Sequence, residues 1–360
     1  MPLFHNARLR AASVGMLALI ALPLLSTTVR AAPGADPRLA LRSRTVALLE
    51  ARRVDEIVTG AKADLGAGTR LPDGSWRGHE TYVTVEEALR ERAEDDPLWD
   101  ELLSDLRRRA ATRSDDTLLL VQVLHARAEQ LRAGAPDKAL APDRRQRVLE
   151  ALTEARDLLD RHRQVLAASP QWWVQRLTVA SELGESGPVQ QALFDDGLAR
   201  FPVFEPIVRA RVRALAPVRG GSEDALMDLL DAIARMPASA LKEGLYARAV
   251  MAAEDEGQLV FLDPRFQRPM WLSSSEWLVH RWPDTRLRQR YFFLACRRAE
   301  FSSARAQLDA MSLPVTDPVL VREAATLDRC RRFAASGNPF PLLMRYRGED
   351  QQVLIRTFAR

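Results

Sequence analysis

From Pro37 onward, apolar residues recur at spacings of three and four, interrupted by Pro, Gly or Asp clusters. That is the period an α-helix needs to lay an apolar stripe against a neighbour, and it leaves little room for the alternation of a half-buried strand. Leu118, Val121, Leu124, Ala128 and Leu131 form one stripe; Leu149, Leu152, Ala155, Leu159, His162 and Leu166 form another. Breaks fall at Gly66, Gly68, Pro97, Gly134, Pro170, Gly187, Pro202, Pro217, Pro237, Gly257, Pro283 and Pro314. Segments of about 10 to 25 residues lie between them, which predicts about a dozen helices. Short helices with short connections pack as antiparallel hairpins side by side, so the predicted fold is all-α: stacked antiparallel helical hairpins.

Trp173 to Pro202 resembles a tetratricopeptide hairpin, with two helices, Phe194 in the second and a terminal Pro. Tyr291 to Leu308 spaces Ala295 and Ala304 in a similar way. Neither carries the full Trp-Leu-Gly-Tyr pattern, so the likeness is to an α-solenoid hairpin and not to a defined repeat. Ala133 to Pro142, rich in Ala, Gly and Pro, reads as a linker. Gln258 to Ser275 reads as an irregular crossing, where Pro264, Pro269 and a serine run interrupt helicity and Val260-Phe261-Leu262 has room for a short strand. The chain thus divides into a leader (1–31), an N-terminal helical region (32–135), central hairpins (143–257) and a C-terminal region (258–360). In the tail of that last region, Val353-Leu354-Ile355 reads as a final short element.

The leader has the pattern of a secretory signal peptide. Arg8 and Arg10 precede an uncharged, mostly apolar run from Ala11 to Leu25, and Val29-Arg30-Ala31 offers a cleavage site. The run is shorter than the roughly 20 residues of a spanning helix, no second apolar span follows, and no cysteine follows the run as a lipoprotein would require. The expected location is periplasmic or secreted; the alternative is an inner-membrane anchor formed by an uncleaved leader. Formal charge is +4. Removing residues 1–31 takes Arg8, Arg10 and Arg30 with it and leaves 49 basic against 48 acidic groups, so the basic isoelectric point does not describe a basic face. Lys62, Lys138 and Lys242 are the only lysines. A nucleic-acid surface would need Arg107 to Arg109, Arg144-Arg145-Arg147 and Arg286-Arg288-Arg290 to converge, and the near-neutral balance argues against it.

Several groups have the composition of a site. The densest aromatic cluster is Phe261, Phe266, Trp271, Trp277 and Trp282, with Glu276 and His280 as polar neighbours. Trp271, Trp277, Trp282, Glu276 and His280 are the candidate binding residues, weighed against core packing of the crossing. Asp73-Gly74-Ser75-Trp76, followed by Tyr82, reads as a turn whose Trp folds back as an apolar plug, with an aromatic ligand platform as the functional alternative. Gly220-Gly221-Ser222 reads as a tight connection ending in Ser222 as the N-cap of a helix starting near Glu223. A phosphate loop would need a preceding strand and a Lys.

Catalytic and metal patterns do not assemble. His5, His79, His125, His162 and His280 stand apart from one another, and His79-Glu80 lacks the second His of a zinc-protease helix. Gly-x-Ser-x-Gly and a dinucleotide fingerprint are absent, so no cofactor, metal site or catalytic residue is expected. Acid pairs such as Asp95-Asp96, Asp115-Asp116 and Asp195-Asp196 point about 100° apart on a helix and suit capping.

Leu48-Leu49-Glu50 to Ile57, Asp73-Gly74-Ser75-Trp76 with Tyr82, Phe201 to Pro206, Leu215 to Ser222, Phe293-Leu294-Ala295-Cys296 and Cys330 with Phe333-Ala334 together resemble a bacterial family defined only as domain of unknown function 4034. Val218 and Arg219 stand where that family has Arg and Trp. The resemblance implies an exported helical-hairpin fold and transfers no reaction. Cys296 and Cys330 are the only cysteines, late in two predicted helices separated by one more, and export to an oxidising compartment makes a disulfide the expected state. The expected function is an exported scaffold of the bacterial envelope that binds a protein or peptide; the alternative is a helical enzyme acting on an envelope glycan or peptide.

Overall fold

The computed structural model describes residues 36–134, 139–236, 244–311 and 324–336. The leader, residues 135–138 of the linker and the tail from 338 lie outside them. The described residues form sixteen helices and no strand. In chain order these are α1 (Pro37–Glu50), α2 (Val54–Ala67), α3 (Arg77–Arg90), α4 (Leu98–Ala110), α5 (Asp115–Arg132), α6 (Pro142–Arg161), the single turn α7 (Arg163–Leu166), α8 (Pro170–Glu182), α9 (Gly187–Arg200), α10 (Pro206–Leu215), α11 (Glu223–Arg235), α12 (Leu245–Asp255), α13 (Arg268–Arg281), α14 (Thr285–Arg297), α15 (Phe301–Ala310) and α16 (Ala324–Ser336). None is long and apolar enough to cross a membrane.

There are more helices than the breaks predicted because several connections contain neither Pro nor Gly. The turn from α1 to α2 places Arg52 at φ 56°, and the turn from α14 to α15 places Ala299 at φ 59°. Conversely, Pro142, Pro170 and Pro206 begin helices, where their missing N–H has no intrahelical partner to lose.

The helices alternate between two layers. In the inner layer α3, α5, α8, α10 and α12 each pack on the next; α2, α4, α6, α9, α11 and α13 back them from outside. α14 continues the inner layer, held to α12 by the ion pairs Arg290–Asp255 and Arg297–Glu254. A disulfide between Cys296 and Cys330, with Cα atoms 5.5 Å apart, ties α14 to α16.

Helix α5 is the centre of the molecule. It packs against α3, α4, α6 and α8, and it is buried around nearly its whole circumference, as an apolar helix inside a large core must be. Leu118, Val121, Leu124, Ala128 and Leu131 are all in its buried set. The second predicted stripe is off by one at its start: Val148, Leu152, Ala155 and Leu159 face the core, whereas Leu149 is 39% exposed. In the α8–α9 hairpin, Trp173 lies so close to Gly197 that a Cβ there would meet the Trp173 side chain at 3.1 Å.

The irregular crossing is shorter than predicted. Val260–Leu262 is a 3-10 turn, and the serines at 273 to 275 lie inside α13, whose first turn holds Pro269. Ser274 and Ser275 are buried, and the Ser274 hydroxyl accepts a hydrogen bond from the Ala247 backbone N–H at 3.1 Å, a use of serine that brings α13 against the start of α12. Ser222 caps α11 by accepting from the Ala225 N–H at 3.1 Å. Gly221 is required by space: a Cβ there would lie 2.1 Å from the Leu215 carbonyl oxygen.

The loop between α2 and α3 ties the first hairpin to distant parts of the chain. Asp73 accepts from the Ser75 N–H at 3.0 Å, and Gly74 takes the left-handed conformation, φ 79°. A Cβ on Gly74 would meet Trp282 at 2.6 Å and Arg248 at 2.8 Å. Arg248 donates to the Asp73 carbonyl at 2.6 Å, and the Trp76 indole N–H donates to Glu205 at 2.6 Å. Trp76 is sandwiched between the Arg70 guanidinium, 3.5 Å from its ring centroid, and Phe204 at 4.9 Å. The loop thereby holds α3 against α10, α12 and the end of α13.

Candidate functional site

Each inner helix lends the site one face, part polar and part apolar, at helical spacing. On α3 it is His79, Val83, Glu86, Glu87 and Arg90; on α5, Val121, Gln122 and His125; on α8, Gln171, Gln175 and Thr178; on α10, Arg209 and Arg213; on α12, Ala252, Asp255 and Glu256. Spacings of three and four put each set on one helical face, and these faces enclose a cleft of about 250 Å³. A second lobe of about 240 Å³ adjoins it, lined by Arg38, Asp73, Ser75, Glu80, Arg248, Arg286 and Arg290. The lobes share Val83, Glu87, Arg209, Ala252 and Asp255, so they adjoin along α3, α10 and α12, and these shared walls are called the waist of the groove below.

Beneath the first lobe lies a buried ion network centred on His125. Its Nδ1 is 3.2 Å from Glu86 and its Nε2 2.9 Å from Glu182, so both ring nitrogens donate. Burial would push this imidazole toward the neutral form, but the carboxylates of Glu182 and Glu86 outweigh it and raise its pKa to about 10. Burial opposes ionisation of Glu182 as well, yet His125, Arg132 and Arg213 hold it well below the usual carboxylate range. Arg132 reaches both Glu182 and Glu129 at 2.8 Å, Arg213 lies 3.5 Å from Glu129, and Arg219 lies 3.5 Å from both Glu182 and Glu256. Gln122 extends the network by donating to Glu86 and accepting from Gln175 at 2.9 Å.

His79 behaves in the opposite way. Burial lowers its pKa, and its Nδ1–H donates to the Gln171 side-chain oxygen at 2.8 Å, so it lines the groove as a neutral ring. Among the described residues, His125, Glu129 and Glu182 place three possible metal donors within 4.8 Å of one another. Arg132 already engages both carboxylates, and His125 pairs with Glu182. In this structure the trio belongs to the ion-pair network.

The aromatic candidates lie elsewhere. Trp271 is fully buried, 5.6 Å from the Tyr291 ring centroid and 5.0 Å from the Arg298 guanidinium. Trp277 is half-buried against the main core, and Trp282 is half-buried against Gly74 with Arg281 4.3 Å over its ring. Glu276 and His280, one turn apart, share the exposed side of α13. Trp271, Trp277, Trp282, Glu276 and His280 therefore do not converge, and none lines either lobe of the groove. Tyr82 is buried in the core. The groove residues themselves were missed because their histidines and carboxylates stand apart in sequence. The available signal was polar residues recurring at three and four inside otherwise apolar helices, such as Gln122, His125 and Glu129, or Gln171, Gln175, Thr178 and Glu182.

Arginines of the first two clusters are held in place by carboxylates. Arg107 pairs with Glu154 at 2.7 Å, Arg109 with Asp55 at 2.5 Å, and Arg144 and Arg147 with Glu94 at 2.5 and 2.9 Å. No protein-family model matches the chain, and neither a curated protein nor a solved structure is similar to it.

Proposed function

We propose that this protein is an exported scaffold of the bacterial envelope whose inner-layer groove binds a peptide or an extended segment of a protein. The observation that carries the reading is the convergence of five inner helices on one two-lobed groove, each contributing side chains at helical spacing. Inner faces of stacked hairpins are the natural binding surface of such arrays. Gln122, Gln171 and Gln175 line the groove, and their hydrogen bonds to Glu86, His79, Leu118 and one another fix the polar wall an occupant would meet. The leader pattern and the Cys296–Cys330 disulfide support an oxidising compartment. A tetratricopeptide-like or family 4034-like scaffold is the architecture consistent with this role.

Binding is favoured over catalysis by the state of the groove's ionisable groups. His125 is locked as a cation between carboxylates, and those carboxylates are held ionised, so neither is poised to exchange a proton near neutral pH. The test is capture from envelope extracts by the mature protein and by a Val83→Trp variant that fills the waist. Peptides or proteins retained by the first and lost by the second support the proposal. An identical captured set from both, or turnover of an envelope glycan, overturns it.

A further inference from the structure

The second lobe has an imbalance of charge that the ion pairs around it do not relieve. Arg38, Arg209, Arg248, Arg286 and Arg290 line it together with Asp73, Glu80, Glu87 and Asp255. All four carboxylates are already engaged. Arg38 holds Asp73 and Glu80, Arg42 reaches Glu87 from outside the lobe at 2.5 Å, and Arg290 holds Asp255. Among the described residues, Arg209, Arg248 and Arg286 are left with only long carboxylate contacts or none. Arg209 comes no nearer than 4.0 Å to a carboxylate, that of Glu80, and Arg286 no nearer than 3.8 Å, that of Asp36. Among the described residues Arg248 makes one hydrogen bond, to the neutral carbonyl of Asp73.

We infer that Arg209, Arg248 and Arg286 form a receptor for the carboxylates of an acidic peptide segment, which enters the arginine lobe and continues through the waist into the first lobe. The inference rests on the groove reading above. The three guanidiniums come from three helices, α10, α12 and α14, so their spacing is set by helix packing and not by a mobile loop. Each guanidinium offers a planar pair of donors that matches a carboxylate, and holding the groups on rigid elements lowers the entropy lost on binding. A peptide is favoured over a small ion because a second lobe of about 250 Å³ adjoins this one along shared walls, so an extended occupant meets both.

The test uses the full-length protein and a fluorescein-labelled tetraglutamate peptide, with tetraglutamine, tetralysine and inorganic phosphate as comparison probes. Tetraglutamate is expected to bind at low salt, to weaken as salt rises, and to bind about tenfold or more weakly to Arg209→Gln and to Arg286→Gln. Neither variant removes an ion pair closer than 3.8 Å, so the fold is expected to persist, checked by an unchanged helical spectrum. Arg144→Gln, whose partner Glu94 lines neither lobe, is expected to bind like the parent. Absence of tetraglutamate binding, equal binding by both variants, or binding of phosphate without tetraglutamate would overturn the inference. If acidic preference is absent while Val83→Trp still abolishes peptide capture, this inference fails and the groove reading stands. If tetraglutamate binding depends on the arginines while capture ignores Val83→Trp, the groove reading fails alone.

Discussion

The groove around His125 and the aromatic cluster around Trp271 both bury charged side chains, but they use them differently. Around His125, charge is paired: an imidazolium between two carboxylates, with Arg132, Arg213 and Arg219 completing the set under a polar cleft. Around Trp271, ion pairs such as Arg297–Glu254 are joined by a charge set on rings: Arg298 lies 3.8 Å over Phe266, and burial pushes its pKa down to about 10. Nearby Glu254 has its pKa raised to about 7 by burial, against the pull of Arg297, Arg290 and Arg298. The first region lines a cavity and the second fills one. The aromatic cluster is therefore packed against the core around Trp271, whereas the polar groove is assembled from residues scattered over many helices.

The largest effect that sharpens this contrast is expected from Trp271→Ala. Removing a fully buried Trp should cost about 3 to 5 kcal/mol in urea unfolding. The half-buried Trp277, truncated the same way, should cost clearly less. A Trp271→Ala protein of unchanged stability would mean that the cluster is not core.

His125→Leu comes next. It leaves Glu86 and Glu182 facing each other without the cation between them, and breaking a buried pair from one side typically costs about 3 kcal/mol or more. The same unfolding measurement checks it, and a loss below about 1 kcal/mol, the scale of an exposed pair, would show that the network is solvated.

The two regions should also separate by pH. The folded pKa of His125, about 10, lies above its unfolded value, so its stabilisation is complete below about pH 6.5 and is lost as pH rises toward 10. The folded pKa of Glu254, about 7, also lies above its unfolded value, so its contribution is complete below about pH 4.5 and is lost as pH rises through 7. Stability measured across pH should lose the lower of these two slopes in Glu254→Gln and the upper in His125→Leu. Unchanged profiles in both variants would contradict the assigned charge states. The smallest effect is expected at Leu149, where Leu149→Glu should shift stability by no more than about 0.5 kcal/mol because the side chain faces solvent.

Leu149 also shows where sequence reading slips. Val148 and Leu149 are adjacent and both apolar, and only the neighbouring helix decides which one faces inward. The helical period, the Ser222 cap and the stripe of α5 were legible because each depends on residues within a turn or two. The break after α1 was not, because Arg52 adopts a left-handed conformation that no Pro or Gly announces. The groove was least legible, since His79, His125, Glu182 and Arg213 meet only through the packing of α3, α5, α8 and α10.

The measurement that bears most directly on the central claim is site-specific photocrosslinking in the producing cell. One protein carries the photoreactive residue in place of Val83, at the waist of the groove, and the other in place of Glu276, on the exposed face of α13. The expected result is a peptide or protein adduct from position 83 and none from position 276. Adducts from position 276 alone would contradict the claim that the groove is the binding site.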